Sequence, residues 1–403
     1  MEGAKVKDIV IIANYCRDFS ENDNGRFMYL CKELSQNNKV EIITSDFLHV
    51  EKKQKEPLVH NWPFTITFLH EPGYKKNISI QRFKSHNAWG KEVAKYLQNR
   101  AKPDVIYCAV PSLTAPFEAA KYCENNKVKY IIDIQDLWPE AFLMVFNVPV
   151  VSQVLFAPFK RRADAIYASA DEICAVSNWY VQRALSVNKK CAAGHAVFLG
   201  TSLETFDNNA TQTEPPIKKQ TDDEIWLGYC GSLGASYDIP CVIKALRILK
   251  EQLGQAPKFI VMGSGDRKEE FEKCANEKGI EAIFLGKLPY DQMCSQLVQC
   301  DIVVNPIVAG SAASIINKHG DYASSGLPVL NTQDSPEYRE LVDQYHMGLN
   351  CINGNAEDLA EKLQILIKDK NLRKDMGRNA RRCAEEKFDR RNSYKELVNT
   401  ILA

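Results

Sequence analysis

Neither sign of charge is in excess in this 403-residue chain: 51 Lys and Arg face 51 Asp and Glu. Bulk electrostatics therefore make no case for a nucleic-acid partner. Cysteine pairs at C-x-x-C spacing are missing although the chain has 13 cysteines, an odd number, which argues against a zinc ribbon or a redox dithiol. The seven histidines are scattered without metal-ligand spacing, and D-x-D, G-x-G-x-x-G and G-x-x-x-x-G-K-[ST] are all absent. The dinucleotide fingerprint and the P-loop fall away with them. Near the N-terminus the apolar run Asp8–Ala13 is too short for a signal-peptide core and has no small-residue cleavage site after it. A cytoplasmic location with reduced thiols is the expectation. What remains is ordinary: 45% hydrophobic and 25% charged residues, the average of folded domains, so disordered and fibrous readings can be dropped.

Short β-branched runs alternate with longer amphipathic stretches from the start. Residues 8–13 read as a strand, 26–34 as a helix and 39–44 as a strand, and the alternation continues through 104–109, 114–125, 128–134, 160–170 and 172–176. This is the pattern of a parallel α/β domain. Between 207 and 223 the chain turns to amides, charges and two prolines, which predicts a linker. Strands resume at 225–229, 258–262, 282–285, 302–305 and 328–330. The expected division is thus 1–206, a linker at 207–223, a second α/β domain at 224–385, and a C-terminal helix at 386–403 that caps the second domain or crosses back to the first. Open parallel sheets hold ligands beyond the carboxyl ends of their strands, so function is sought in those turns.

Strands of the second domain run repeatedly into glycine, at Gly231-Ser232-Leu233-Gly234, Gly263-Ser264-Gly265 and Gly286. Such turns let backbone approach a ligand closely, although tight βα turns alone also favour glycine. The richest stretch follows 302–305, where the small-residue loop 309–315, with Ser311, Ser314 and Ile315, leads into Lys318 and Asp321. A helix starting near Ser314 would turn its free N–H groups toward a phosphate. Lys318 and Asp321, three apart, would share a helical face, a cation for diphosphate beside an acceptor for ribose hydroxyls. The plain alternative is a surface ion pair.

These stretches, taken in order with Ala170–Asn178, Leu199-Gly200-Thr201, 301–306, Gly326-Leu327-Pro328-Val329 and 372–381, resemble the retaining nucleotide-sugar glycosyltransferases of family 4 over nearly the whole chain. The segment Asp133-Ile134-Gln135-Asp136-Leu137-Trp138-Pro139-Glu140 looks like the subgroup that builds bacterial surface polysaccharides, O-antigen and capsule among them. The resemblance implies a GT-B fold, two doubly wound Rossmann-like domains facing a central cleft. It also implies a nucleotide-sugar donor, a UDP-sugar being favoured, a lipid-linked oligosaccharide acceptor, and no metal or separate cofactor. Donor contacts would fall on Gly231, Gly234, Gly263, Gly265, Ser311, Ser314, Ile315, Lys318 and Asp321. Two departures stand out. The family's paired glutamates, eight residues apart, fall here on Ala313 and Asp321, and its basic pair after the first strand of the second domain is missing, with Ser232 after Gly231. More of the phosphate charge must then rest on Lys318.

Cleaving a sugar–phosphate bond leaves growing negative charge on the diphosphate, which Lys318 would offset. The acceptor hydroxyl needs a nearby hydrogen-bond acceptor, and Asp136 and Asp133, at the end of strand 128–134, are the candidates, Asp136 the preferred one because Asp133 sits within the strand. Asn24 and Gly25 match the family's glycine-rich loop on the acceptor side. A nucleotide-sugar epimerase and a non-catalytic two-lobed sugar-phosphate-binding protein are the alternatives. Residues 141–159 carry no charge over 19 positions and are followed by Lys160-Arg161-Arg162. Two prolines and several polar residues argue against spanning. The stretch reads either as buried core or as a peripheral contact with anionic lipid at the inner face of the plasma membrane.

Overall fold

The computed structural model describes residues 5–20, 25–56, 61–145, 151–221, 223–310 and 315–403, with side chains except at 143–145 and 151–153. The chain divides into two compact units, Met1–Phe198 with Tyr394–Ala403, and Leu199–Ser393. The strands of the first are β1 (Asp8–Ala13), β2 (Lys39–Ser45), β3 (Phe47–Leu48), β4 (Lys53–Gln54), β5 (Thr65–Leu69), β6 (Val105–Val110), β7 (Lys129–Ile134), β8 (Glu172–Ala175) and β9 (His195–Ala196). Seven of them form one parallel sheet in the order β5-β2-β1-β6-β7-β8-β9, while β3 and β4 make a small antiparallel hairpin. The sequences DIVIIA and VIYCAV of β1 and β6 are buried almost throughout, as parallel strands covered on both faces must be. Strand order reverses between β1 and β6, and a crevice opens there at the carboxyl ends.

The second unit repeats the plan with β10 (Trp226–Cys230), β11 (Lys258–Met262), β12 (Ala282–Gly286), β13 (Ile302–Asn305), β14 (Val329–Asn331) and β15 (Gly348–Asn350), ordered β12-β11-β10-β13-β14-β15 and all parallel. Its reversal lies between β10 and β13. These strands pair through Leu227 with Ile302 and Gly228 with Val303. Just beyond, the Tyr322 hydroxyl accepts from the Cys230 N–H at 3.0 Å and donates to the Val304 carbonyl at 3.0 Å. The side chain wedges the two strands apart and satisfies the backbone groups that their divergence would orphan.

Two boundaries differ from the sequence reading. The expected linker at 207–223 overlaps a helix, Leu203–Gln212, capped by Ser202 and anchored by buried Leu203 and Phe206. Its amides and threonines gave too little apolar period to betray it. The expected C-terminal helix at 386–403 is broken at extended Asp389, and the chain passes from one unit to the other at Ser393–Tyr394. Helix Lys395–Leu402 then seats Leu397 and Ile401 among Ile9, Ile11 and Leu30 in the first unit's core. Each such side chain contributes about 1.5–3 kcal/mol on burial.

Candidate functional site

In the first unit, a cavity of about 260 Å³ sits at the carboxyl ends of β1, β6 and β7, lined by Tyr15, His49, Arg82, Gln135, Asp136 and Trp138 among others. The turn after β7 brings Asp136 to its wall, where the carboxylate accepts from Trp138 Nε1 at 3.1 Å. Burial raises the Asp136 pKa, against the opposing pull of that hydrogen bond and of the Arg82 charge. A carboxylate so placed can accept a hydrogen bond from a substrate hydroxyl.

Asp133 has another duty. It is fully buried, and Arg26 grips both its oxygens, Nε at 2.8 Å and Nη2 at 2.9 Å. Arg26 Nη1 also donates to Val197 O at 3.1 Å and to the Tyr394 hydroxyl at 3.1 Å. The expectation that Asp133 serves the acceptor is thus corrected: its charge is spent on holding β7, residue 197 and the C-terminal segment together. Asn24 lies outside the described residues. Gly25 precedes helix Arg26–Leu34 in an extended conformation open to any residue.

In the second unit, Lys318 lies on helix Asn317–Ser324, which starts three residues later than expected; Ser311 and Ser314 are outside the described residues. His319 Nδ1 accepts from the Ile316 N–H at 3.2 Å, so that amide faces a ring rather than a phosphate. The Lys318 ammonium is buried and, among the described residues, has no hydrogen-bond partner; it lies 4.7 Å from the Tyr229 ring centre and 4.1 Å from that of Tyr237. Burial pushes its pKa down to about 7. Asp321 accepts from the Tyr290 hydroxyl at 2.8 Å, and Tyr290 pairs with Thr201 at 3.0 Å, so Asp321 and Lys318 do not act as a pair. Ile315 is buried beside the start of this helix.

Three of the glycines meet backbone closely. A Cβ on Gly263 would stand 1.8 Å from the Gly231 carbonyl oxygen, and one on Gly265 would stand 2.3 Å from that of Leu233. The Gly231 N–H donates to Met262 O at 3.0 Å, and its φ of +147° excludes side chains. Gly231, Gly263 and Gly265 therefore serve the close packing of two loops, with the Gly231 amide already engaged. Gly234 has ordinary space around its Cα. Sequence reasoning missed Tyr237 and Tyr290 here, and Tyr15, His49 and Arg82 in the first unit; Tyr229 stood within the stretch 228–231. Trp138 was visible within the segment 133–140.

Residues 211–383 match the family model described as Glycosyl transferases group 1. That span holds Lys318, Asp321 and the glycine turns. Among curated proteins, Sulfoquinovosyl transferase SQD2 of Arabidopsis thaliana is 28% identical over 39% of this chain and 31% of its own length. Capsular polysaccharide biosynthesis glycosyltransferase CapM of Staphylococcus aureus is 23% identical over 53% of this chain and 56% of its own length. The chain thus spans between about a third and three fifths of the length of the curated relatives it matches. Among solved structures, Anabaena Alr3699/HepE in complex with UDP superposes with a TM-score of 0.69 at 14% identity, covering 98% of this chain and 99% of the other. A putative UDP-N-acetylglucosamine 2-epimerase from Listeria monocytogenes gives 0.58 at 13% identity, covering 93% and 91%. The fold is GT-B.

Among the described residues no helix is long and apolar enough to cross a membrane. Within 141–159, residues 146–150 lie outside the description, Phe142 and Phe156 are buried, and Val154 and Leu155 are exposed at 70% and 65%. Lys160 and Arg161 follow on the surface of the same helix, Val151–Ser169.

Proposed function

We propose that this chain is a retaining glycosyltransferase of family 4. It moves a hexosyl or N-acetylhexosaminyl group from a UDP-sugar to a lipid-linked glycan during bacterial surface polysaccharide assembly, in the cytoplasm at the inner face of the plasma membrane. The observation that carries the reading is Lys318: a buried ammonium with no hydrogen-bond partner among the described residues, at the strand-order reversal of the unit matching the glycosyl transferase model. A buried cation without a counter-charge is costly, and a diphosphate arriving there supplies one. As the C1–O bond breaks, its electron pair leaves with the nucleoside diphosphate, and Lys318 offsets the charge that develops. Asp136 orients the acceptor hydroxyl, whose oxygen makes the new bond to C1 while its proton passes to the departing diphosphate oxygen. The exposed Val154 and Leu155 beside Lys160 and Arg161 suit an anionic lipid surface on which such an acceptor would be presented.

The epimerase shares the fold but needs no second substrate, and the cavity around Asp136 in the first unit favours transfer. Two measurements test the reading. UDP and UDP-sugars should raise the melting temperature by mass action, and the sugar should leave the donor only when a glycan acceptor is present. No stabilisation by any nucleoside diphosphate removes the donor assignment; a free epimeric product made without acceptor replaces transferase by epimerase.

A further inference from the structure

The cavity of the first unit holds a cation that the function described so far does not use. Arg82 lies in the first turn of helix Ile80–Asn99, where its backbone N–H donates to the capping Ser79 hydroxyl at 3.2 Å. Its guanidinium reaches the cavity wall beside Asp136 and packs 4.6 Å from the Trp138 ring centre. Nη1 donates to Asn77 O at 2.9 Å and Nη2 to the Tyr15 hydroxyl at 2.9 Å, while Nε is sealed from solvent with no acceptor. Among the described residues no carboxylate lies within ion-pairing distance of it. Lys52 adds a second positive charge nearby, its Nζ donating to Asn77 Oδ1 at 2.5 Å.

The acidic groups around it are otherwise occupied. Glu71 accepts from Asn14 at 2.9 Å and from Ser85 at 2.8 Å, and Asp136 accepts from Trp138. The nearby imidazoles stay neutral: burial first, then positive charges including Arg82, push the pKa of His49, on the wall, down to about 4 and that of His86, which contacts the Tyr15 hydroxyl at 3.1 Å, down to about 3. A guanidinium with N–H groups to spare, set among neutral rings and with no carboxylate in direct contact among the described residues, suits a ligand that brings its own negative charge. A neutral sugar would leave that guanidinium without a carboxylate or phosphate in direct contact.

We propose that the acceptor taken by this cavity is anionic, a sugar bearing a phosphate or carboxylate group that Arg82 holds while Asp136 faces the hydroxyl to be glycosylated. This deepens the transferase reading and rests on it. The volume of about 260 Å³, at the small end for ligand pockets, fits one substituted ring rather than a long glycan. The anion has two natural sources, the phosphate through which a sugar is joined to a lipid carrier and the carboxylate of a uronic acid.

The test compares glucose 1-phosphate, glucuronic acid and glucose by ligand-observed NMR on the full chain carrying Lys318→Met, which removes phosphate affinity at the second unit. At least one anionic probe should bind about tenfold or more tighter than glucose, and Arg82→Gln should abolish that preference. The better anion identifies the source. Equal binding of all three probes, or a preference that survives Arg82→Gln, overturns the proposal. Should Arg82→Gln fail to fold, Arg82→Lys carries the test: loss of the forked donor should weaken the anionic probes several-fold with glucose unchanged, and unaltered affinities refute it. UDP-sugar binding by the wild-type chain is read separately. Its absence would sink the transferase reading, whereas its presence with indifferent anion binding sinks only the acceptor assignment.

Discussion

Replacing Lys318 by Met removes an ammonium that the fold buries with no hydrogen-bond partner among the described residues, and the size of the effect follows from the pKa. A fall from the ordinary 10.5 to about 7 is a penalty of about 5 kcal/mol on the charged form. The folded-state value lies below the unfolded one, so between about pH 7 and 10.5 the unfolded chain binds the extra proton. Stability therefore rises with pH across that window, and the whole penalty stands below pH 7. Lys318→Met should stabilise the protein against urea most at acid pH, by an amount on the order of 5 kcal/mol less the ring contacts to Tyr229 and Tyr237. Ligand binding has the opposite dependence. A UDP-sugar, whose esterified diphosphate does not titrate near neutrality, should bind the protonated amine. Its dissociation constant should rise about tenfold per pH unit above about 7, with proton uptake detectable by calorimetry in buffers of different ionisation heat. The Met variant should bind weakly and without that slope. A wild-type affinity flat in pH, or an equal slope in both proteins, would refute the assignment of Lys318 to the diphosphate.

Asp136→Asn should depress transfer while sparing UDP-sugar affinity, and parallel loss of both in kinetics and calorimetry would move Asp136 out of the acceptor role. Arg26→Met should cost about 3–5 kcal/mol, because it leaves Asp133 charged, buried and unpaired; an unchanged urea midpoint would contradict the Arg26–Asp133 pairing. Wild-type protein should sediment with anionic vesicles and not with neutral ones. Changing Lys160, Arg161 and Arg162 together to Ser should lose about 1 kcal/mol per residue of that binding, and indifference to the triple change would leave the helix face without a lipid role.

Most central strands were legible because β-branched runs such as Ile9–Ile12 and Val303–Val304 announce themselves, whereas the edge strands Thr65–Leu69, His195–Ala196 and Gly348–Asn350 were not read. Helix Ile80–Asn99 escaped because its buried face includes Ser85, His86 and Gly90, which carry no apolar period. Arg82 escaped with it. Lys318 was found from its place after a small-residue loop, whereas its aromatic walls come from Tyr229 and Tyr237, far back in the chain and joined to it only by folding. The glycine turns were visible but ambiguous. A turn that admits a phosphate and a turn that admits another loop need the same missing side chain, and the 1.8 Å approach at Gly263 shows that the second need is present.

The return of the last ten residues to the first unit has a consequence for how the protein is made. The second unit, Leu199–Ser393, is continuous in sequence, so it can close as soon as it leaves the ribosome. The first unit cannot, because Tyr394, Leu397 and Ile401 are part of its core and follow the whole second unit in the chain. At about 5–20 residues per second, the N-terminal sheet waits roughly 10–40 s with an open groove beside Ile9, Ile11 and Leu30. During that interval it is a natural client for a chaperone. Expression of residues 1–198 alone would produce that waiting form permanently, and a synthetic peptide of residues 394–403 added in trans should be able to complete it.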